Sequence, residues 1–407
     1  MNEGLPLMLI LLILLLFAKV FGELCERIGV PSLTGEILAG LVLGPTLLGL
    51  VKDTHEIRAI ADLGVLMLIV MAGFEIRSSD IRKALTGRSI WTPVLAFILP
   101  FAGGFLVGYL FHFTLIFNIF LGLSLSISAL PVSIRILMDL GRLHTGIGQM
   151  IISTAIINDI LALLFLGIML DIGQVQDITS VFTLTMLKNL AKIVLFMLVL
   201  LMIYRIIRIA RNSVGVFSPK LNHFLNLLKG KESLFALCMI FILAFSGLAE
   251  LMGLHFVIGA FFGAILIPKE IIPEDDFEKI RNTTQGMTMG FLAPIFFAYL
   301  GLMIEVRSVS NLWLFLSVLG MLFLTKTLSG YLGGRILRMN RIRSVTLGIG
   351  LNTTGIMALV IASIAFSKGF IDTGMFTILI LVAMITSIST PFLLKRSFSL
   401  VDNIGNP

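Results

Sequence analysis

Asn158 and Asp159 stand side by side in "IINDILALLF", within a largely apolar run from Gly146 to Leu170. A carboxylate next to an amide can offer oxygens to a hard monovalent cation, or a seat to a proton, where nothing else solvates a charge. Asp159 lies twelve residues into its run, which is about 18 Å along a helix and so near the middle of a bilayer. Lys326, in "FLTKTLSGYLGGR", falls at a similar depth of another run. A structural ion pair between helices would account for both charges. Such a pair is often replaceable by apolar residues at little loss, whereas ionisable groups retained at mid-membrane mark a functional site.

Two further runs are interrupted by residues that unsettle a helix. "LSLSISALPVSIRIL" places Pro131 among Ser124, Ser126, Ser128 and Ser133. Proline donates no hydrogen bond and frees the carbonyl four residues earlier. "GIGLNTTGIMALVIAS" sets Gly348, Gly350 and Gly355 around Asn352, Thr353 and Thr354. Irregular backbone at membrane depth is tolerated only where protein or a water-filled cavity surrounds it. Other polar residues carry less. Glu36 suits a helix-packing role as well as any other, and Arg135 with Asp139 reads as a simple i,i+4 pair. Five histidines fall in loops or at the ends of runs, and Cys25 and Cys238 read as inert packing residues. No HExxH, GxSxG or Walker pattern occurs, and no histidine–carboxylate cluster has metal-ligand spacing, so the chain does not read as an enzyme.

The elements that must position these residues are membrane spans. Of the 407 residues, 57% are hydrophobic and 13% charged, with a mean hydropathy of +1.06; soluble domains carry about 25% charged residues. Apolar windows predict thirteen helical spans, near 5–22, 32–50, 57–76, 90–111, 114–138, 147–170, 182–207, 232–250, 254–267, 287–304, 312–335, 344–366 and 374–394. "MNEGLP" brings Glu3 and no basic residue, so the first run reads as a retained span. The net charge of +7 is scattered over short connections, which signals topology and not a nucleic-acid patch. Connections on one side hold only Lys52, Arg58, Arg307 and Lys368, and most other Lys and Arg fall on the opposite side. That bias predicts the N-terminus outside and the C-terminus cytoplasmic in the cell (plasma) membrane. A single transporter domain over 1–407 is expected: a first repeat at 5–170, a linker helix at 182–207, and an inverted second repeat at 232–395. The interrupted spans, the fifth and the twelfth, are equivalent members of the two halves, which points to a site at the midplane.

Seven stretches in order, "PSLTGEILAGLVLGPTLLG", "LGVLMLIVMAGFEI", "SALPVSIRIL", "STAIINDILALL", "GLHFVIGAFFGAIL", "PIFFAYLGLMIEV" and "LNTTGIMALVIA", resemble the monovalent cation:proton antiporter superfamily. They look most similar to potassium or sodium/proton exchangers of the plant and fungal cation/proton type. The resemblance implies an all-α membrane fold of two inverted six-helix repeats with broken, crossing spans 5 and 12. It implies a mobile core of spans 4–6 and 11–13 on a scaffold that forms a homodimer. It also implies an ion-binding role for Asp159, which would hold Na+ or K+ with Asn158 and Ser128, and a counter-charge role for Lys326. Pro131, Asn352, Thr353, Thr354 and Gly355 would build the broken helices. No cofactor is expected, only the transported Na+ or K+ and H+, and the lipid bilayer is the expected surround. Electrogenic relatives carry two adjacent aspartates where this chain has Asn158–Asp159, while electroneutral ones carry arginine at the position of Lys326. One aspartate favours one proton per cation. The alternative is a gated K+ efflux pathway, which would need a separate cytosolic regulatory subunit.

Overall fold

The computed structural model describes residues 6–75, 87–128, 130–172, parts of 191–205, 231–267, 274–308 and 311–405. Among these residues every regular element is helical. The first half contains α1 (Leu7–Arg27), α2 (Ser32–Leu43), α3 (His55–Glu75), α4 (Trp91–Leu110), α5 (Leu115–Ser126), α6 (Leu130–Asp139) and α7 (Gly146–Ile172). The second contains α8 (Lys231–Leu251), α9 (Phe256–Leu266), α10 (Glu274–Met287), α11 (Ala293–Leu302), α12 (Leu312–Ile336), α13 (Arg341–Gly350), α14 (Ile356–Ser367) and α15 (Thr373–Gly405).

Every predicted span but one coincides with described helix. The linking span at 182–207 and the basic connection after it lie largely outside the described residues. Among the described residues, eight helices are long and apolar enough to cross a bilayer, and α2, α5, α9 and α14 are shorter apolar helices. The protein is therefore an integral, multi-pass membrane protein. Some boundaries move. α2 stops at Leu43, not near residue 50, because Gly44 turns extended ahead of Pro45, and residues preceding proline leave the helical region. The tenth span begins earlier, with α10 joined to α11 through a π-helical turn at Thr288–Leu292. The last helix runs on through Pro391 to Gly405.

The chain forms two compact units. One holds Met1–Val65, Ser78–Ala162 and Phe291–Pro407; the other holds Leu66–Arg77 and Leu163–Gly290. In the first, α1, α2 and α11 pack on one another, α4 lies against both α5 and α12, and α13 contacts α12 and α15. α14 completes this group against α5 and α15. In the second, α8 packs on α9, and Phe74 meets Phe277 edge-on with ring centroids 5.6 Å apart.

Glycines set the tightest of these contacts, and they do so twice. A Cβ on Gly104 of α4 would stand 2.7 Å from the Cα of Gly122 on α5. A Cβ on Gly330 of α12 would overlap the Cα of Gly348 on α13. Both pairs are separated by eighteen residues. Likewise Gly35 of α2 abuts the Phe21 carbonyl of α1, and Gly259 of α9 abuts the Phe245 carbonyl of α8, fourteen residues apart in each case. No repeat is visible in the letters, yet the two halves are built on the same backbone contacts.

Candidate functional site

The first helix break follows from Pro131. It is the second residue of α6, a position that needs no amide hydrogen. Four residues ahead of it the chain is extended, with Ile127 at ψ 139°. Ile127 and Ser128 thus separate α5 from α6, and Leu351–Gly355 separate α13 from α14. The two breaks touch. The Ser128 hydroxyl donates to the Leu351 carbonyl at 3.1 Å, and Ser133 and Thr353 share a hydroxyl–hydroxyl hydrogen bond of 2.7 Å. Neighbouring helices then hold the second break. Asn352 Nδ2 donates to Thr327 Oγ1 on α12 at 2.9 Å, and Ser387 Oγ on α15 donates to the Thr354 carbonyl at 3.0 Å. Gly355 is extended and opens α14.

Lys326 enters this crossing fully buried. Its Nζ donates to the Ile127 carbonyl and lies 3.5 Å from Ser128 Oγ. Ile127 is extended beyond the end of α5, so its carbonyl has no helical donor and the lysine supplies one. The ammonium also stands at the C-terminal end of α5, where the helix dipole is negative. Asp159, on α7, is likewise buried, at 1% exposure. Through Ile127 and Ser128 the lysine is thus tied to the first break.

Asn158 is fully buried, and its Nδ2 reaches the Ser126 carbonyl at 3.4 Å. Among the described residues its Oδ1 has no hydrogen-bonding partner, and neither do Asn352 Oδ1, Thr154 Oγ1, Ser124 Oγ or Thr354 Oγ1. Buried polar atoms are normally satisfied, so each of these oxygens has capacity for a further partner, and Ser124 and Thr354 line one small cavity. Ser128, Lys326, Asn352, Thr353 and Thr354 thus meet across the two breaks, with Asn158 tied to the end of α5. The supporting contributions of Thr327 and Ser387, and the buried Thr154, were not singled out from the sequence. Thr154 lies four residues before Asn158, one turn away on the same helix face, and that spacing was the available signal.

Residues set aside in the sequence play structural parts. Glu36 is buried on α2 with Lys19 of α1 at 3.7 Å, joining the two helices. His255 accepts from Val257 N at the start of α9. Cys25 and Cys238 are both free thiols. The side chains of Arg135 and Asp139 lie outside the described residues, as does His223.

Comparison with known proteins identifies the family and the fold. The family model described as "Sodium/hydrogen exchanger, transmembrane" matches residues 10–396. Two relatives from Bacillus cereus are each 28% identical: the probable Na(+)/H(+) antiporter GerT over 95% of this chain and 98% of that one, and the Na(+)/H(+)-K(+) antiporter GerN over 96% of both. The sodium proton antiporter MjNhaP1 of Methanocaldococcus jannaschii, solved at pH 8, shares the fold with a TM-score of 0.66 at 15% identity, covering 96% of this chain and 95% of that one. The chain belongs to the sodium/hydrogen exchanger family, whose members are membrane transporters and not enzymes.

Proposed function

We propose that this protein exchanges a monovalent cation, Na+ or K+, for H+, with Asp159 holding the two in alternation. The observation that carries the reading is the buried Asn158–Asp159 pair beside two touching helix breaks, with Lys326 fixed at the edge of the first. Burial disfavours a bare carboxylate, and a nearby ammonium favours it. A carboxylate under these opposing influences can take up either a proton or a hard cation, whose natural ligands are oxygens. Asn158 Oδ1 and Ser128 Oγ are the neighbouring oxygens best suited to join it. The cation departs as the proton arrives, and that competition couples the two fluxes.

Exchange further requires that Asp159 face each side of the membrane in its two loaded states. An elevator-type movement of the bundle carrying the breaks, in spans 4–6 and 11–13, would do this against a dimeric scaffold of spans 1–3 and 8–10. The charge bias supports an N-terminus outside and a C-terminus in the cytoplasm. With a single aspartate the exchange is one for one and electroneutral, and Lys326 compensates the empty site.

Proteoliposomes with a trapped pH dye test the assignment. Asp159→Asn abolishes proton movement driven by Na+ or K+ gradients, and retained exchange overturns the role given to Asp159. In the wild type an imposed membrane potential leaves the direction and extent of exchange unchanged. Uptake driven by potential alone would refute electroneutrality.

A further inference from the structure

A cavity of about 600 Å³ opens at the end of the first unit where α6 gives way to α7, α12 gives way to α13, and α15 approaches its end. Arg142 and Arg343 stand in its wall, with Met339, Phe398 and Asp402. Arg142 is held in place from two sides: its guanidinium pairs with the Asp402 carboxylate and lies 5.4 Å from the Phe398 ring centroid. Arg343, in the first turn of α13, makes no ion pair with any described residue. Arg335, Arg338 and Arg341 crowd the same short connection. One carboxylate therefore faces an excess of guanidinium groups.

We propose that this cavity binds the headgroup of an anionic phospholipid, with the phosphate between Arg142 and Arg343 and the apolar body against Met339 and Phe398. Guanidinium groups match phosphate oxygens in a bidentate way. Basic pockets between membrane helices on the cytoplasmic side are suited to anionic headgroups, and the volume is that of a small-ligand pocket. The wall carries both guanidinium groups and the apolar Met339 and Phe398, a mixture that favours an amphiphile over a free anion. The N-terminal turn of α7, at Gly146 and Ile147, adds the positive end of a helix dipole to the same wall. Asp402 is the internal anion that already engages Arg142, so an incoming phosphate competes with it. The site lies outside the Asp159 cluster, and its occupancy does not depend on the exchange reaction proposed above.

Binding is measured on the purified full chain in detergent, by native mass spectrometry and by thermal stabilisation. Three probes are compared: phosphatidylglycerol, phosphatidylcholine and inorganic phosphate. Phosphatidylglycerol binds saturably and phosphatidylcholine does not. Arg343→Gln, an exposed position that leaves the fold intact, weakens phosphatidylglycerol about tenfold, as for loss of one charge-assisted hydrogen bond. Asp402→Asn strengthens it by removing the internal competitor. Equal binding of the two lipids, or an unchanged affinity in Arg343→Gln, overturns the site. Competition by millimolar inorganic phosphate alone overturns the lipid assignment in favour of a soluble anion.

Discussion

Replacing Lys326 by methionine separates its two attachments in a way that a second substitution can reverse. Methionine keeps the length of the side chain in a fully buried position, so little packing is lost. Two penalties remain. The Ile127 carbonyl loses its donor, which costs about 1–3 kcal/mol for a buried acceptor. Asp159, 1% exposed, loses the neighbouring ammonium, and breaking a buried charge pair by removing one partner costs about 3–5 kcal/mol. Adding Asp159→Asn removes the stranded charge and leaves only the carbonyl unsatisfied. The double variant is therefore more stable than Lys326→Met alone, by roughly 3–5 kcal/mol on these figures. Unfolding of wild type, both single variants and the double variant in one detergent gives the coupling directly. It needs no transport measurement, so loss of activity in Asp159→Asn does not confound it. A double variant no more stable than Lys326→Met would refute electrostatic coupling between Lys326 and Asp159.

The link between the two breaks and the glycine contacts make further predictions. Ser133→Ala or Thr353→Val alone strands a buried hydroxyl and costs about 1–3 kcal/mol, whereas the pair together costs less than the sum; strict additivity in thermal unfolding would contradict the Ser133–Thr353 hydrogen bond. Gly348→Ala drives a methyl into the Thr327 carbonyl and sharply lowers the yield of folded protein in size-exclusion chromatography. Gly320→Ala, with no atom within 4 Å of the added carbon, leaves yield unchanged or gains up to about 1 kcal/mol from helix propensity.

Much of the architecture was legible in the sequence because a bilayer imposes a length and an apolar composition on every span. The breaks were legible for a local reason: proline and clustered glycines both disfavour helix, and here they fall beside buried polar residues, although Pro100 and Pro391 sit within continuous helices. Asp159 and Lys326 stood out because charge in an apolar run is costly. What satisfies those groups was not legible. That Lys326 donates to Ile127, 199 positions away, depends on how α12 crosses α5, and no local pattern encodes that crossing. Ser387 and Thr327 were passed over for the same reason, since a hydroxyl in a span commonly bonds its own helix four residues back. The early end of α2 was missed because apolar residues continue past Pro45, and composition does not register a change of backbone direction.

The paired glycine contacts bear on ancestry. Where one backbone rests on another, as at Gly104 with Gly122 and Gly330 with Gly348, no side chain fits, so drift has almost nothing to substitute. Elsewhere one apolar residue replaces another freely, and any resemblance between the halves erodes. Equal separations at such points are what a duplicated six-span ancestor would leave behind after its letters had diverged. On that reading a shared origin would be preserved in the positions that lack a side chain, while the buried charges, Asp159 in one half and Lys326 in the other, mark where the two halves differ.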